Sequence, residues 1–283
     1  MSEAAQMSWF MDQALARRLE RAEGVVGTTF SETNQRVAPE RGSTWRDFAG
    51  TYAIFDGPDS PMTQTFGLGL FEPVTPRALA EIEAFFTERG APVMHEVSPL
   101  AGIETFALLA DRGYRPDDLS TVLVQSLDGD LAFPISAELR VRTIDPTDQA
   151  AWIETSVTGW SADPQFADIM RSMATVAAAN HAMVHFLVER AGAPIATASL
   201  GIHEGVALLA GASTIPEGRN LGAQSLLLTA RLVEAHRRGC DLAMMLTTPG
   251  STSQRNAERS GFRVAYTRTK WRSAPGEQRQ RTE

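Results

Sequence analysis

The hydrophobic pattern of the first half of the chain predicts helices alternating with strands. A helix is predicted over residues 7–22, where apolar side chains recur at helical spacing: Phe10, Met11, Ala14, Leu15, Leu19 and Ala22. Residues 31–43 are polar, and an irregular segment is predicted there. The pattern further predicts strands over 51–55, 63–71, 93–96 and 119–127, and helices over 75–89 and 103–112.

The second half begins with a predicted strand over residues 138–143. Asp145 followed by Pro146 then favours a helix start, because Asp caps free amides and proline is tolerated in the first turn. That helix is expected to run to residue 157. Further helices are predicted over 165–178, 221–238 and 252–260, and strands over 182–189, 194–202, 206–214, 242–246 and 263–270.

Two short segments recur at nearly constant separation. Residues 109–115 and 257–263 both carry a helix end, a glycine and an aromatic residue, and residues 88–91 and 237–240 repeat a helix end at a similar offset. The repeated order favours a duplicated fold. The predicted class is α/β (mixed α+β), with two domains, each a mixed, mostly antiparallel sheet flanked by helices. The predicted boundaries are 1–134 and 135–272, followed by a flexible tail over 273–283.

Composition and charge narrow the functional classes. The 283 residues are 43% hydrophobic and 21% charged, which is typical of a folded protein, and the formal net charge of −8 disfavours nucleic-acid binding. Cys240 is the only cysteine, which excludes an intramolecular disulfide and fits a reducing cytoplasm. A charged N-terminal segment predicts no secretory signal, and no apolar run is long enough for a membrane span. We therefore expect a cytoplasmic protein.

The segment from residue 211 to residue 228 predicts a strand, a turn and then a long helix. The first amides of a helix have no partner within it, so such a turn can bind an anion such as pyrophosphate. Gly222 lets the backbone approach phosphate oxygens, and Arg219 adds a positive charge. A plain strand-to-helix turn is the alternative. The predicted contacts are Arg219, Asn220, Leu221, Gly222, Ala223, Gln224 and Ser225.

Residues 219–224 resemble the Q/R-x-x-G-x-G/A pyrophosphate loop of the GNAT superfamily of acyl-CoA-dependent N-acyltransferases. Arg219 and Gly222 match that loop, whereas Gln224 stands where Gly or Ala is usual. Residues 214–217 and the Gly-Phe pair at 261–262 also match, so that the resemblance extends over residues 138–270. The first half has no glycine between residues 70 and 89, and it resembles a degenerate copy.

The resemblance implies a tandem GNAT-like protein with one acyl-CoA site. It would transfer acetyl from acetyl-CoA to a primary amine of a small molecule by direct attack in a ternary complex. The strand over 206–214 would hold the cofactor through Ala212, Ser213 and Thr214, with a bulge at Gly211. A non-catalytic acyl-CoA sensor or partner module, and a protein N-acetyltransferase, remain as alternatives.

The acid and the base are less well specified. The tyrosine that many family members carry four residues before the closing Gly-Phe is Ala257 here, so Ser253 and Tyr266 are the substitute acids. His203 and Glu204 are the candidate bases, because they lie together at the turn into the cofactor strand. Solvated turn residues are the alternative interpretation of this pair.

Acceptor recognition is predicted from the loop between the first two helices of the second half, with Trp160, Asp163 and Phe166. Aromatic rings beside a carboxylate suit an amine with an apolar portion, although core aromatics and a surface Asp are equally typical. His181 and His185 are interpreted as structural, and no metal is expected. A homodimer is left open.

Overall fold

The computed structural model describes residues 10–128, 136–160 and 167–273. Within these ranges no helix has the length and apolar character needed to span a membrane. The helices are α1 (Gln13–Val37), α2 (Pro76–Thr87), α3 (Ile103–Asp111), α4 (Gln149–Trp160), α5 (Ala167–Ala178), α6 (Ala223–Arg237) and α7 (Thr252–Arg259). The first-half strands are β1 (Thr44–Phe48), β2 (Thr51–Phe55), β3 (Gln64–Phe66), β4 (Met94–Val97) and β5 (Arg115–Ser126). The second-half strands are β6 (Leu139–Thr143), β7 (Met183–Arg190), β8 (Ala193–His203), β9 (Val206–Thr214), β10 (Leu242–Thr247) and β11 (Arg263–Arg272).

The described strands form one mixed sheet in the order β1-β2-β3-β4-β11-β5-β10-β9-β8-β7-β6. Strands β3 and β4 run parallel, as do β9 and β10, while the other described pairs are antiparallel. Each half therefore contains one parallel pair within a mostly antiparallel sheet. The predicted fold class is confirmed, and the sheets of the two halves are joined into one.

The last strand of each half lies inside the sheet of the other half. β11 pairs with both β4 and β5, and β5 in turn lies between β11 and β10. Sequence patterns do not report this exchange, because the pairing joins residues that are far apart along the chain. The predicted boundary at residue 134 falls outside the described residues and stays a prediction.

Helix α1 lies in the concave side of a strongly curled sheet. A Cβ placed on Gly24 would come within 2.5 Å of the Tyr52 ring of β2, and one placed on Gly201 of β8 within 2.6 Å of Val26. Six strands separate β2 from β8 in the sheet. The sheet must therefore curl around α1 for both strands to reach helix residues that are only two positions apart.

The predicted end of the first helix at residue 22 is wrong, and of the irregular segment predicted over 31–43, residues 31–37 are helical. Helix α1 continues to Val37, because its polar residues are buried and bonded rather than solvated. The Ser31 hydroxyl lies 3.0 Å from that of Ser43, and the Asn34 amide donates to Asp56 at 2.5 Å. Strand β1, which follows the polar stretch, was not predicted; it is an edge strand that pairs with β2 alone among the described strands.

Alternate residues of β9 and β10 face different cores. Leu208 and Met244 belong to the same buried cluster as Leu19 and Ala22 of α1. Leu209 and Ala243 belong to a second cluster, together with Leu226, Leu227 and Ala230 of α6. Successive side chains of a strand point to opposite faces. Helices α1 and α6 therefore cover opposite faces of this part of the sheet.

Candidate functional site

Strands β9 and β10 separate along their length. They pair only at three positions, Val206 with Leu242, Ala207 with Ala243 and Leu208 with Met244. Beyond Leu208, β9 continues to Thr214 and β10 to Thr247 with no ladder between them. We call the space between residues 209–214 and 245–247 the β9–β10 gap. Its strand edges carry main-chain donors and acceptors that can pair with an extended, amide-containing molecule.

A bulge bends β9 beside the gap. The register with β8 shifts between Thr197 and Ser199, opposite Gly211, whose φ of 58° lies in the left-handed region. The predicted bulge at Gly211 is confirmed. The Ser213 hydroxyl, on the far side of the bulge, lies 2.9 Å from that of Thr197 and donates to the Ser156 carbonyl at 3.4 Å. Because its side chain is occupied, Ser213 has only main-chain groups to offer a cofactor.

The turn between β9 and α6 leaves a run of amides without acceptors. The Arg219 amide donates to Pro216 and the Leu226 amide to Gly222, but the amides of residues 220–225 have no acceptor among the described residues. Gly222 has φ 84°, and a Cβ placed on it would meet no atom within 4 Å. We call residues 219–225 the α6 cradle. Its free donors and the positive end of α6 favour an anion.

The two polar side chains of the cradle have different roles. The Gln224 amide donates to the Thr214 hydroxyl at 2.6 Å, so that it ties the first turn of α6 to the end of β9. Gln224, at the position where the GNAT motif has Gly or Ala, therefore forms a bond within the protein. Arg219 is exposed, and no bond joins its guanidinium to another described residue. Its charge is available beside the free amides.

Ser253 lies at the same edge of the sheet as the cradle. Because β9 and β10 are parallel, the starts of α6 and α7 both follow the carboxyl ends of the strands that flank the gap. Ser253 is an exposed residue in the first turn of α7, next to Ser251, whose hydroxyl caps that helix. The topology thus places the gap, the cradle and Ser253 at one edge of the sheet.

No protein-family model matches the chain, and no curated protein sequence matches it significantly. Solved structures do match. A GCN5-related N-acetyltransferase from Kribbella flavida aligns with TM-score 0.63 over 93% of this chain and 96% of its own, at 19% identity. A tandem GNAT protein from the clavulanic acid biosynthesis pathway aligns with TM-score 0.61 over 88% and 89%, at 16% identity.

The protein has the tandem GNAT fold. A second GCN5-related N-acetyltransferase, from Sphaerobacter thermophilus, aligns with TM-score 0.56 over 75% of this chain and 73% of its own, at 18% identity. The architecture predicted from the internal repeat and the motif at 219–224 is confirmed. At these identities the likeness concerns the fold alone.

Within the GNAT fold, His203 and Glu204 lie away from the cradle. They form the turn between β8 and β9, and the His203 Nε2 atom is 3.8 Å from a Glu204 carboxylate oxygen that is largely exposed. Residues 206–214 of β9 separate the turn from the cradle by roughly 26 Å, at about 3.3 Å per residue. The segment next to the turn is also the part of β9 that pairs with β10. The structure therefore does not bring these two residues to the gap, and the geometry does not support them as the base.

Tyr266 is sealed inside the molecule. Its hydroxyl donates to the Glu20 carboxylate at 2.8 Å, and the residue is 6% exposed. Burial, followed by the charge of Glu20, raises the pKa of Tyr266 well above its ordinary value. A phenol that is buried and bonded in this way is a poor proton donor, and the geometry does not support its predicted role as an acid.

Tyr266 belongs to a buried group of charges that sequence reasoning missed. The Arg268 guanidinium lies 3.2 Å from Glu20, 2.5 Å from Glu23 and in contact with Glu96. The Arg268 cluster consists of Glu20 and Glu23 of α1, Glu96 of β4, and Tyr266, Arg268 and Lys270 of β11. A signal existed in the sequence, since Glu20 and Glu23 sit beside Leu19 and Ala22 on the apolar face of an amphipathic helix.

Of the three residues predicted to bind the acceptor amine, the structure describes only Trp160. Trp160 is the last residue of α4 and is 52% exposed, whereas Asp163 and Phe166 lie outside the described residues. A Cβ on the preceding Gly159 would come within 2.9 Å of the Thr214 amide nitrogen, so that α4 ends close against the carboxyl end of β9. Trp160 therefore stands near the open mouth of the gap.

His185 has a structural role. Its ring nitrogens lie 2.9 Å from the Ser199 hydroxyl and 3.2 Å from the Asn180 carbonyl, and its ring packs edge-on against Trp152. Burial lowers the pKa of His185, which favours the neutral ring. In the ranges that the structure describes, no group of three or more His, Cys, Asp or Glu side chains is arranged to hold a metal ion.

Proposed function

We propose that this protein transfers the acetyl group of acetyl-CoA to a primary amine of a small molecule, by direct attack in a ternary complex. One observation carries the proposal: the free amides of residues 220–225 lie at the same edge of the sheet as the β9–β10 gap. A diphosphate and an extended amide-containing arm are adjacent parts of coenzyme A. The cradle and the gap match these two parts in chemistry and in order.

The cofactor would be held mainly by the backbone. The amides of the α6 cradle would bind the pyrophosphate, with the Arg219 guanidinium as a charged donor. Ala212, Ser213 and Thr214 would pair with the pantetheine arm through their main-chain groups, because the side chains of Ser213 and Thr214 are bonded within the protein. No metal ion is needed for this reaction.

The chemistry requires a base and a donor for the oxyanion. The amine loses a proton, its nitrogen bonds to the thioester carbonyl carbon, and the carbon–sulfur bond then breaks. A main-chain amide of β9 at the gap would stabilise the oxyanion. Because a thiol has a pKa of about 8.5, the sulfur leaves with little help, and Ser253 remains the candidate donor of its proton. Ala257 supplies no acid at the position of the family tyrosine.

The acceptor would enter past the end of α4. Trp160 offers an exposed ring to an amine with an apolar portion, and Asp163 and Phe166 remain predicted contacts. The net charge of −8 weakly attracts cationic amines and disfavours nucleic acids. We place the reaction in the cytoplasm, since the lone thiol of Cys240 is buried and unpaired.

Calorimetric titration with acetyl-CoA tests the binding site. Gly222→Asp places a carboxylate among the cradle amides, and we expect the affinity to fall by about 100-fold or more, because like charges then face each other. Gly90→Asp is the matched control, since Gly90 also has positive φ and no atom within 4 Å of its Cβ. Equal affinity in wild type and Gly222→Asp would refute the cradle.

Turnover is tested by release of free thiol from acetyl-CoA with four amines: benzylamine, hexylamine, putrescine and glycinamide. Acetyl transfer is expected with at least one of them. The second candidate function is a non-catalytic acyl-CoA sensor, which is favoured by Ala257 and by the sealed hydroxyl of Tyr266. Tight binding of acetyl-CoA without thiol release from any of these amines would select the sensor.

A further inference from the structure

Three contacts locate helix α1 over the β9–β10 gap. Arg18 forms an ion pair with Asp241, immediately before β10, at 2.6 Å. Val26 packs against Gly201 of β8, which lies opposite Leu208, the last residue of β9 that pairs with β10. Glu23 reaches Arg268, on the far side of β5 from β10.

The turn of α1 from Glu23 to Val26 therefore bridges the two sides of the gap. Arg268 lies opposite Ser120 of β5, and the adjacent Thr121 lies opposite Thr247 at the carboxyl end of β10. Glu23 is thus directed to the β10 side at the level of the gap, while Val26 rests on the β8 and β9 side. The helix crosses where the two strands begin to separate.

Among the three carboxylates of the Arg268 cluster, Glu23 is the most accessible. Its side chain is 12% exposed, against 8% for Glu96 and 1% for Glu20. Glu20 is also bonded to the Tyr266 hydroxyl, and Glu96 also faces Lys270 at 3.4 Å. Both Glu23 carboxylate oxygens accept from the Arg268 guanidinium, at 2.5 and 3.3 Å. Its greater exposure makes Glu23 the carboxylate of the cluster that can meet a molecule in the gap.

We propose that Glu23 is the base that accepts a proton from the ammonium group of the acceptor. This inference rests on the proposed function. The Glu23 carboxylate takes one proton from nitrogen, and the freed electron pair forms the carbon–nitrogen bond to the thioester carbonyl. The electrons of the carbon–sulfur bond leave with sulfur, which takes a proton from the Ser253 hydroxyl, and the second proton of the amine returns to Ser253. Glu23 then returns its proton to water.

The surroundings of Glu23 suit such a base. The charged and titratable groups that face it are Glu20 on its own helix, Glu96 on β4, and Tyr266, Arg268 and Lys270 on β11. Burial raises the pKa of Glu23 to about 7, Arg268 opposes that shift, and the charge of Glu96 adds to it. A base whose pKa lies near the working pH is both deprotonated and able to hold the proton.

The test is the pH dependence of kcat/KM between pH 5.5 and 9.5, with acetyl-CoA and the best amine of the four. Wild type is expected to lose activity below pH 7 with a single inflection. Glu23→Gln is expected to lower kcat/KM by about 100-fold or more and to abolish that inflection, with acetyl-CoA affinity unchanged. Glu32→Gln, on the same helix but exposed and bonded to Trp45, is the matched control and should keep the wild-type profile.

A second variant keeps the test valid if Glu23→Gln fails to fold. Glu96→Gln leaves Glu23 in place but removes a neighbouring negative charge, so that the inflection should move to lower pH. An unmoved inflection in Glu96→Gln, or an unchanged profile in Glu23→Gln, would overturn the role of Glu23 alone. A wild-type protein that binds acetyl-CoA but acetylates none of the four amines would overturn the proposed function, and this assignment with it.

Discussion

The turns that precede α2 and α6 occupy equivalent places in the two halves but differ in how their amides are bonded. At the start of α2 the Thr75 hydroxyl accepts from the Ala78 amide at 3.1 Å, and Pro76 has no amide hydrogen to offer. At the start of α6, Gly222 provides no side-chain cap. A closed and an open version of one turn thus occur in the same molecule.

Helix α1 also contacts the loop before α2. Arg17 donates to the Leu70 carbonyl at 2.7 Å, and the Arg21 guanidinium lies 4.1 Å from the centre of the Phe71 ring. The strands there, β3 and β4, pair at one position, Thr65 with His95. Helix α1 therefore has two roles: Arg17 and Arg21 contact the loop before α2 in the first half, while Glu23 and Val26 lie across the gap of the second half.

The largest expected effect comes from the ion pairs between the halves. Arg268→Leu leaves Glu20, Glu23 and Glu96 buried without their shared cation, and we expect a loss of about 3–5 kcal/mol of unfolding free energy in urea. Arg142→Leu breaks the partly exposed pairs with Asp148 and Glu189 inside the second half, for which about 1 kcal/mol is expected. Similar losses of unfolding free energy in the two variants would show that the ion pairs between the halves matter no more than those within the second half.

The same contrast should appear in the pH dependence of stability. The pKa of Glu23 is raised to about 7 in the folded protein, so the folded state holds this proton more tightly than the unfolded state does. The stability gained from that proton is fully present below the unfolded pKa of Glu23 and is lost as the pH rises through 7. Between about pH 5 and 7 the unfolding free energy should fall by up to about 3 kcal/mol, and Glu23→Gln should flatten that slope. Asp148, whose pKa is lowered to about 2 chiefly by its bond to Arg142, should act only in acid, where its contribution is lost as the pH falls. Urea titrations at a series of fixed pH values measure the unfolding free energy in both pH ranges.

The smallest effects on stability are expected from substitutions in the turns that precede α2 and α6. Thr75→Ala removes the cap of α2, and Gly222→Ala forces a left-handed φ on a residue with a Cβ; each should cost about 1 kcal/mol of stability. Calorimetry should find weaker acetyl-CoA binding in Gly222→Ala only. If Thr75→Ala also weakened binding, the turn of the first half would not be closed to the cofactor.

Local patterns predicted much of this architecture. Strand β9 was predicted with its observed bounds, and most other elements were displaced by only a few residues, because alternation and helical spacing depend on neighbouring positions. The internal repeat predicted a duplicated fold, and the resemblance of residues 219–224 to the GNAT loop implied that the copies are GNAT-like. Gly211 marked the bulge, whereas the left-handed φ of Gly222 at the start of α6 is a finding of the structure.

The position of chemistry-bearing side chains depended on long-range packing. The sequence made Tyr266 a candidate acid, but in the structure its hydroxyl is bonded to Glu20, 246 positions away. His203 is near the cofactor strand in sequence, yet it lies at the paired end of β9. The packing of α1 against the sheet decided the first outcome, and the pairing of β9 with β10 at residues 206–208 decided the second. Amino-acid order determines which residues can form a helix, strand or turn, whereas burial and charge pairing between distant segments determine which of them meet.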